Sequence, residues 1–241
     1  MDTMTILLSV LLGYLFGSIS FARIITRLLA PDVDLTTLQV QLKDSSQTAD
    51  VGIVGANAAS MVLGARWGMA IALLDMLKVV VPMAVLRWLY PGEHYHLVGS
   101  IAGLLGHNFP VFYHFKGGRG FSVIFGSFIL LDWVGAVVCV FSGMVLGMVL
   151  LGNPMIAYIS WLWLMAPWMA WRLGMPGLIY SLVINLIFVL SVIPEIRLML
   201  RMHREGSYRA YIEGLYNSSP RWRGMKKMTD RLWLLRSLFT K

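Results

Sequence analysis

The sequence predicts an all-α integral membrane protein, a bundle of about seven transmembrane helices. Of the 241 residues, 58% are hydrophobic and only 13% are charged, and the mean hydropathy is +0.71. This is too little charge to cover a soluble globule of that size. The apolar residues also fall into separate runs, most of them close to the roughly 17–25 residues that a bilayer span requires. A soluble enzyme and a disordered chain are therefore excluded, and Cys139, the only cysteine, excludes a disulfide scaffold.

The apolar runs lie at residues 4–29, 67–90, 97–113, 121–131, 134–151, 155–171 and 177–200. Run 121–131 is too short to cross a bilayer alone, so it is tilted, broken or continuous with the next run, and the count is seven or six. The first run follows Asp2 rather than a basic segment, and its arginines, Arg23 and Arg27, come at its end. We expect a retained transmembrane helix there rather than a cleaved signal peptide.

The distribution of basic residues favours seven spans over six. With seven spans and a cytoplasmic tail, the N-terminus lies outside the cell, and only Arg87 and Arg172 fall at outer helix ends. Six spans would place roughly half of the basic residues on the wrong side of the membrane. We therefore expect a transmembrane domain at residues 1–200 and a basic cytoplasmic tail at residues 201–241.

The tail carries ten Lys or Arg residues and three acidic residues. Because it follows an apolar helix directly, this charge indicates a cytoplasmic location and contact with anionic lipid headgroups rather than with nucleic acid. Five apolar residues of the tail recur at spacings of three and four and predict an amphipathic helix over residues 225–239: Met225, Met228, Leu232, Leu235 and Phe239. This helix is expected to lie along the membrane interface, and a groove on a partner protein would use the same face.

A glycine-rich turn with two basic residues separates two of the apolar runs. Lys116 precedes Gly117 and Gly118, and Arg119 precedes Gly120. Because glycines carry no Cβ atom, the backbone N–H groups of this turn are free to converge on an anion. The next helix is predicted to begin directly after this turn, so its positive dipole end points to the same place. The pattern predicts a phosphate site at the cytoplasmic membrane surface. The alternative is a short basic loop that only fixes topology.

Three further polar residues lie inside apolar runs. His107 is close to the membrane surface, where an ionisable residue indicates either a functional role or a packing histidine with satisfied hydrogen bonds. Asp75 and Lys78 are three positions apart on one helix face and predict a structural ion pair that holds helices in register. No metal-binding or nucleophile motif is visible, and we expect no cofactor.

Residues 106–120 read GHNFPVFYHFKGGRG. This closely resembles the second cytoplasmic motif, GHxFPVFxxFKGGKG, of the bacterial acyl-phosphate:glycerol-3-phosphate acyltransferase family, with Arg119 where the family usually has lysine. Three other segments resemble family segments in the same order: residues 17–19 (GSI), 74–78 (LDMLK) and 200–209, after the last apolar run. The resemblance covers about residues 13–214.

The resemblance implies a seven-span enzyme that transfers an acyl group from acyl phosphate to glycerol 3-phosphate, giving lysophosphatidate for phospholipid synthesis. It implies catalytic roles for His107, Lys116 and Arg119. It also implies phosphate binding by Gly52, Gly55, Asn57, Gly117, Gly118, Gly120, His203 and Arg204. Acyl phosphate is already activated, so the protein needs to position two anions and an acyl chain, the latter in a groove between apolar helices.

The first cytoplasmic loop departs from the family pattern, which reads roughly DxRxxGSGNxGATN. Residues 50–58 read DVGIVGANA, so Val51 replaces a serine, Ile53 replaces an asparagine, and Asn57 with Ala58 replaces Thr-Asn. No arginine occurs between Arg27 and Arg66. Two alternatives to an active enzyme therefore remain. One is a family member without activity that acts as a lipid-binding or structural subunit of a membrane complex; the other is a small transporter, against which the lack of inverted halves argues.

Overall fold

A computed structural model describes residues 1–44, 46–50, 52 and 54–234. The replaced loop residues Val51 and Ile53 lie outside the described residues, as does the end of the predicted tail helix, including Leu235 and Phe239. The helices are α1 (Thr3–Ser18), α2 (Phe21–Leu29), α3 (Ala56–Leu63), α4 (Ala65–Leu89), α5 (Tyr95–Asn108), α6 (Phe121–Met144), α7 (Pro154–Arg204), α8 (Tyr208–Ser218) and α9 (Pro220–Leu232). Short 3-10 turns lie at Leu35–Thr37 and Val111–Tyr113, and a π-helical segment, Val145–Leu150, continues α6.

Within the described residues, four helical segments are long and apolar enough to cross a membrane. They are Thr3–Leu29, which contains α1 and α2, then Ala65–Leu89, Phe121–Leu150 and Pro154–Arg204. The last two are interrupted by residues with non-helical backbone angles, Asp132 and Gly174. These interruptions fall where the sequence separates run 121–131 from 134–151 and run 155–171 from 177–200. The short run 121–131 is thus one part of a broken helix, and the number of spans stays a prediction.

The predicted run 97–113 is shorter in the structure. Helix α5 has 14 residues, which corresponds to about 21 Å of helix, less than the hydrocarbon thickness of a bilayer. It ends at Asn108 because Pro110 follows, and a residue before proline is disfavoured in the helical conformation.

Helix α5 is held against α1 by pairs of small residues. Gly13 faces the backbone of Gly99, and Gly17 faces the backbone of Gly103, so closely that a Cβ atom on either α1 glycine would overlap the opposite main chain. Small residues four positions apart allow this approach between membrane helices. The contact fixes the C-terminal end of α5, and with it the start of the glycine-rich turn.

The break in α6 is stabilised by a polar contact. The carboxylate of Asp132 accepts hydrogen bonds from the Gly135 main-chain N–H at 2.8 Å and from Arg172 Nε at 2.5 Å. The interruption leaves backbone groups without their helical hydrogen bonds, and the Asp132 carboxylate provides a partner for one of them, the Gly135 N–H. Inside the bundle, the largest cluster of buried apolar residues lies between α4, α5, α6 and α7 and includes Leu104, Ile124, Phe128, Trp161 and Ile184.

A polar layer covers one end of the bundle and consists of the described residues of 30–50 and 205–234. In it, strands β1 (Gln39–Gln41) and β2 (Thr48–Asp50) form an antiparallel hairpin with Val40 opposite Ala49. The hairpin packs on α8, where Gly214 lies against the Gln41 main chain and the Lys43 ammonium lies 2.5 Å from the Glu213 carboxylate. This hydrogen bond lowers the pKa of Glu213. Neither strand was predicted from the sequence.

The tail contains two helices where the sequence predicted one. Helix α7 continues past residue 200 to Arg204, and α8 and α9 follow it. Helix α9 begins at Pro220, five positions before the predicted amphipathic helix, because Ser219 caps it and proline is favoured in a first helical turn. Within the described residues it ends at Leu232, ahead of the predicted end at residue 239.

Candidate functional site

The glycine-rich turn folds back over the end of α5. Gly117 and Gly118 are buried, and the Gly118 main-chain N–H donates to the His107 carbonyl oxygen at 3.2 Å. A Cβ atom on Gly117 would stand 2.6 Å from Pro110 Cδ and 2.7 Å from the Asn108 carbonyl oxygen. Only glycine fits here, so the close approach explains the residue type that the sequence shows.

His107 lies between the turn and helix α4. On one side, a Cβ atom on Gly118 would overlap the Nε2 atom of the His107 ring. On the other side, His107 Nδ1 is 3.7 Å from a carboxylate oxygen of Asp75. The histidine side chain is 9% exposed. The ring therefore lies between an acidic group near one nitrogen and the glycine-rich turn at the other.

The ion pair predicted within α4 is present and buried. Lys78 Nζ is 2.8 Å from Asp75 Oδ1, and each side chain is 3% exposed. Lys78 also donates to the Ile19 carbonyl oxygen at 2.5 Å, between α1 and α2. Since an unpaired charge at this depth would be costly, the pair and its extra hydrogen bond hold α4 against the first helices.

The first glycine loop meets the second in space. The Val54 main-chain N–H donates to the Gly117 carbonyl oxygen at 3.3 Å, and a Cβ atom on Gly55 would lie 3.6 Å from Gly118 Cα. Gly55 is the N-cap of α3, and Gly120 is the N-cap of α6. Two helix N-termini with their free N–H groups therefore lie near one another, which suits an anion.

The remaining loop residues take different positions. Asn57 is in the first turn of α3, and its carboxamide oxygen accepts a hydrogen bond from the Ser219 hydroxyl at 2.7 Å. Gly52 has a φ of 63° and is exposed, with no atom within 4 Å of a Cβ placed on it. The structure thus brings Gly55 to the turn, Asn57 to the tail, and leaves Gly52 at the surface.

The two basic residues of the turn differ in their surroundings. The side chain of Lys116 is exposed. Arg119 Nε donates to Glu195 of α7 at 2.5 Å, and these two side chains are only 15% and 14% exposed. The charge of Arg119 is therefore already balanced, whereas that of Lys116 is available to a ligand. Glu195 was not predicted from the sequence, although an acidic residue directly after Pro194 inside an apolar run indicates a buried charge that needs a partner.

Arg23 of α2 reaches the same turn. Its Nη2 atom donates to the Lys116 carbonyl oxygen at 2.7 Å, and its guanidinium lies 4.5 Å from the centre of the Tyr113 ring. The Nη1 atom is buried and has no hydrogen-bond partner among the described residues. From the sequence, Arg23 indicated only the topology of the first helix. Its contact with the turn was not predicted, because Arg23 and Lys116 are 93 positions apart.

Asp34 is a second residue that the sequence did not single out. Hydrogen bonds from the main-chain N–H and the hydroxyl of Thr36 lower the pKa of the Asp34 carboxyl, and the charges of Arg23 and Lys116 lower it further. Asp34 is therefore close enough to this cationic pair to interact with it electrostatically.

His203 and Arg204 lie at the C-terminal end of α7 and are exposed. The centre of the His203 ring is 6.1 Å from that of Tyr208. In the described part of the chain neither residue bonds to the turn. Eight positions of α7, about 12 Å along the helix axis, separate His203 from Glu195. The structure places them at the same end of the bundle as the turn.

Fold and site together define an integral membrane protein with two glycine loops, two helix N-termini and free cations at one end of an apolar bundle. Residues 7–204 of the chain match the glycerol-3-phosphate acyltransferase family. The chain belongs to this family.

Individual relatives agree with this membership. The glycerol-3-phosphate acyltransferase of Anaeromyxobacter sp. (strain Fw109-5) is 32% identical over 61% of this chain and 68% of its own length. That of Desulfotalea psychrophila is 35% identical over 51% of this chain and 57% of its own. The crystal structure of PlsY (YgiH), an integral membrane glycerol 3-phosphate acyltransferase in its glycerol 3-phosphate form, superposes with a TM-score of 0.65 and 25% identity. That superposition covers 81% of this chain and 92% of PlsY.

Proposed function

We infer that this protein is a membrane glycerol-3-phosphate acyltransferase of phospholipid synthesis. One observation carries the inference: the family match over residues 7–204 includes both glycine loops, and these loops contact each other at Gly117 and Gly118, beside the His107 ring. The acyl donor is an acyl phosphate and the product is lysophosphatidate. The reaction forms a bond between the primary hydroxyl oxygen of glycerol 3-phosphate and the acyl carbon. It breaks the bond from that carbon to the phosphate oxygen, and inorganic phosphate leaves.

The cations and amides of the two loops bind the phosphate groups. Lys116 is exposed, and the buried Nη1 atom of Arg23 has N–H donors to spare among the described residues. Charge-assisted hydrogen bonds of this kind are about twice as strong as neutral ones. The family loop has an arginine that this chain lacks, and Arg23 supplies a guanidinium at the same turn from a different part of the sequence.

His107 acts as the general base toward the attacking hydroxyl. Asp75 lies 3.7 Å from Nδ1, while Nε2 faces Gly118 and the turn. A histidine placed in this way orients the hydroxyl and accepts its proton as the new ester bond forms. The remaining acceleration comes from holding the two substrates in attack geometry.

An apolar groove between α1 and α4 accommodates the acyl chain. Its volume is about 640 Å³, and it reaches Lys78 and Phe21 at the site end. Its walls are mainly aliphatic and aromatic and include Leu8, Leu12, Phe16, Leu77, Val81 and Val85. A chain in this groove would place its activated carbonyl end toward the turn, next to the buried Asp75–Lys78 pair.

Orientation follows from charge. Seven spans, with the N-terminus outside and the site end in the cytoplasm, place the substrate phosphates on the side where they are made and the basic tail against anionic lipid. The four basic residues of α9 that surround a shallow surface depression are the lipid contacts: Arg223, Lys226, Lys227 and Arg231.

The direct test is transfer by the purified protein in detergent. With acyl phosphate and glycerol 3-phosphate we expect lysophosphatidate and one phosphate released per ester formed. Acyl-coenzyme A as donor should give no product. Absence of product with any donor, in a folded protein, would favour the alternative of a non-catalytic lipid-binding or structural subunit.

A further inference from the structure

The part of the chain that follows the family match contacts the site. The match ends at residue 204, and α8 and α9 lie beyond it. The junction between these two helices, Ser219, is fully buried, and its hydroxyl donates to the Asn57 carboxamide oxygen at 2.7 Å. Asn57 is 162 positions earlier, in the first turn of α3. A residue outside the family region therefore bonds directly to one in the first glycine loop.

This hydrogen bond determines which end of the Asn57 amide is available. Its oxygen is occupied by Ser219, and its nitrogen, with two N–H donors, has no partner among the described residues. An anion requires donors, so this orientation suits phosphate and the reverse orientation does not. The Ser219 hydroxyl oxygen also accepts a hydrogen bond from the Trp222 main-chain N–H at 3.4 Å, so the same side chain caps α9 and bonds to Asn57.

The next residues of the tail reach the start of α6 through Tyr158 of α7. The Trp222 and Tyr158 rings are 5.2 Å apart in an edge-to-face arrangement, and Tyr158 stacks on Phe121 at 3.7 Å. Arg221 donates to the Tyr158 hydroxyl at 2.8 Å. Phe121 is the first residue of α6, directly after Gly120. Aromatic contacts of this geometry add to the stability that buried area provides.

The tail is itself anchored by the inserted hairpin. Val40, Leu215 and Trp222 are the buried members of one apolar cluster, and the Lys43 main-chain N–H donates to the Ala210 carbonyl oxygen at 3.1 Å. The long first loop and the tail, both additional to the family pattern, thus pack on each other. This gives Ser219 and Trp222 a fixed position relative to the bundle.

We propose that Ser219 and Trp222 are positioning residues of the site. Ser219 occupies the Asn57 carboxamide oxygen and so leaves the two N–H donors of the amide for the substrate phosphate, and Trp222 packs on Tyr158, which stacks on Phe121 at the start of α6. The tail thereby adds a hydrogen bond to a segment whose sequence lacks the serine, arginine and asparagine of the family pattern. This proposal rests on the proposed function, since the ligand it serves is the phosphate of glycerol 3-phosphate.

The test compares Ser219→Ala with Ser218→Ala. Ser218 is the matched control, because its hydroxyl bonds only to the Gly214 carbonyl oxygen of its own helix. Loss of one buried hydrogen bond predicts a rise of about threefold to tenfold in KM for glycerol 3-phosphate for Ser219→Ala, with kcat and the KM for acyl phosphate nearly unchanged. Ser218→Ala should keep the parent KM. Equal KM values in the two variants would overturn the proposal.

A double-mutant cycle separates positioning from general stability. On an Asn57→Ala background, Ser219→Ala should raise KM no further, because the residue through which it acts is gone. An additional rise of the same size would mean that Ser219 acts on KM independently of Asn57 and would overturn the proposal. Thermal unfolding of each variant, measured in parallel, reports the loss of stability that removal of the α9 cap causes. Arg221→Gln, on the exposed side of α9, provides a second variant and should raise the same KM about twofold.

If the parent protein transfers no acyl group, the proposed function fails. If the parent does transfer the acyl group and the cycle is additive, only the proposal for Ser219 and Trp222 fails.

Discussion

The guanidinium of Arg23 donates a hydrogen bond to the main-chain carbonyl of Lys116 at 2.7 Å. This contact joins the end of the first apolar segment to the glycine-rich turn and brings a second basic residue to the main chain of that turn. Arg119 is paired with Glu195, and the phosphate-binding role that the sequence predicts for it stays a prediction. We therefore expect Lys116 and Arg23 to contribute most of the charge that a substrate phosphate meets, and Arg119 to contribute chiefly through the shape of the turn.

Lys116→Ala should lower the rate of acyl transfer at least tenfold, since it removes a charge-assisted hydrogen bond from an exposed, available ammonium. Membrane insertion and thermal stability should not change. Lys227→Ala is the control, because it removes the same charge from α9. Steady-state assays in detergent check both variants, and equal activity of Lys116→Ala and the parent would exclude a role for Lys116 in the reaction.

Arg23→Ala should raise KM for glycerol 3-phosphate about tenfold, because it removes both a cation and the hydrogen bond that orients the turn. Arg23→Lys should fall between this variant and the parent, since an ammonium keeps the charge but not the planar set of donors. Arg27→Ala, on the exposed side of the same helix, is the control. A full effect in Arg27→Ala as well would point to net charge rather than to position.

Glu195→Ala should destabilise the protein by about 3 kcal/mol, because it leaves the mostly buried Arg119 without its partner. The double variant Arg119→Ala/Glu195→Ala should unfold at a higher temperature than Glu195→Ala alone, since neither charge is then buried unpaired. Thermal unfolding in detergent measures both. The opposite order would contradict a paired, charged state of these residues.

Gly118→Ala should reduce activity tenfold or more, because the added methyl group would overlap the His107 ring and displace either the ring or the turn. Gly224→Ala is the control: no atom lies within 4 Å of a Cβ at that position, which is inside a regular helix. Wild-type kinetics in Gly118→Ala would show that the contact between the ring and the turn is not needed for transfer.

Reporter fusions test the topology. A reporter at the C-terminus, after Lys241, should be cytoplasmic, and one in the loop at residues 91–94, between α4 and α5, should be external, because basic residues then lie inside. Both reporters on the same side would contradict seven spans and would require a different arrangement of the two interrupted helices.

Local patterns in the sequence determined much of this protein. The apolar runs predicted the long membrane helices, the spacing of Asp75 and Lys78 predicted their ion pair, and the motif at residues 106–120 predicted the glycine turn beside His107. Each of these depends on neighbours within a few positions or on a contiguous motif. Such information is present in the linear chain, since helix periodicity and turn geometry are local properties.

Only the tertiary structure decided which distant residues complete the site. Arg23, Glu195 and Ser219 each bond to a loop residue many positions away, and no spacing rule relates such residues in the sequence. Their partners depend on how helices pack, and that packing is set by the glycine contacts of α1 with α5 and by the hairpin that anchors the tail. The sequence determined the membrane fold and the turn, whereas the packing determined which charges are free to bind phosphate.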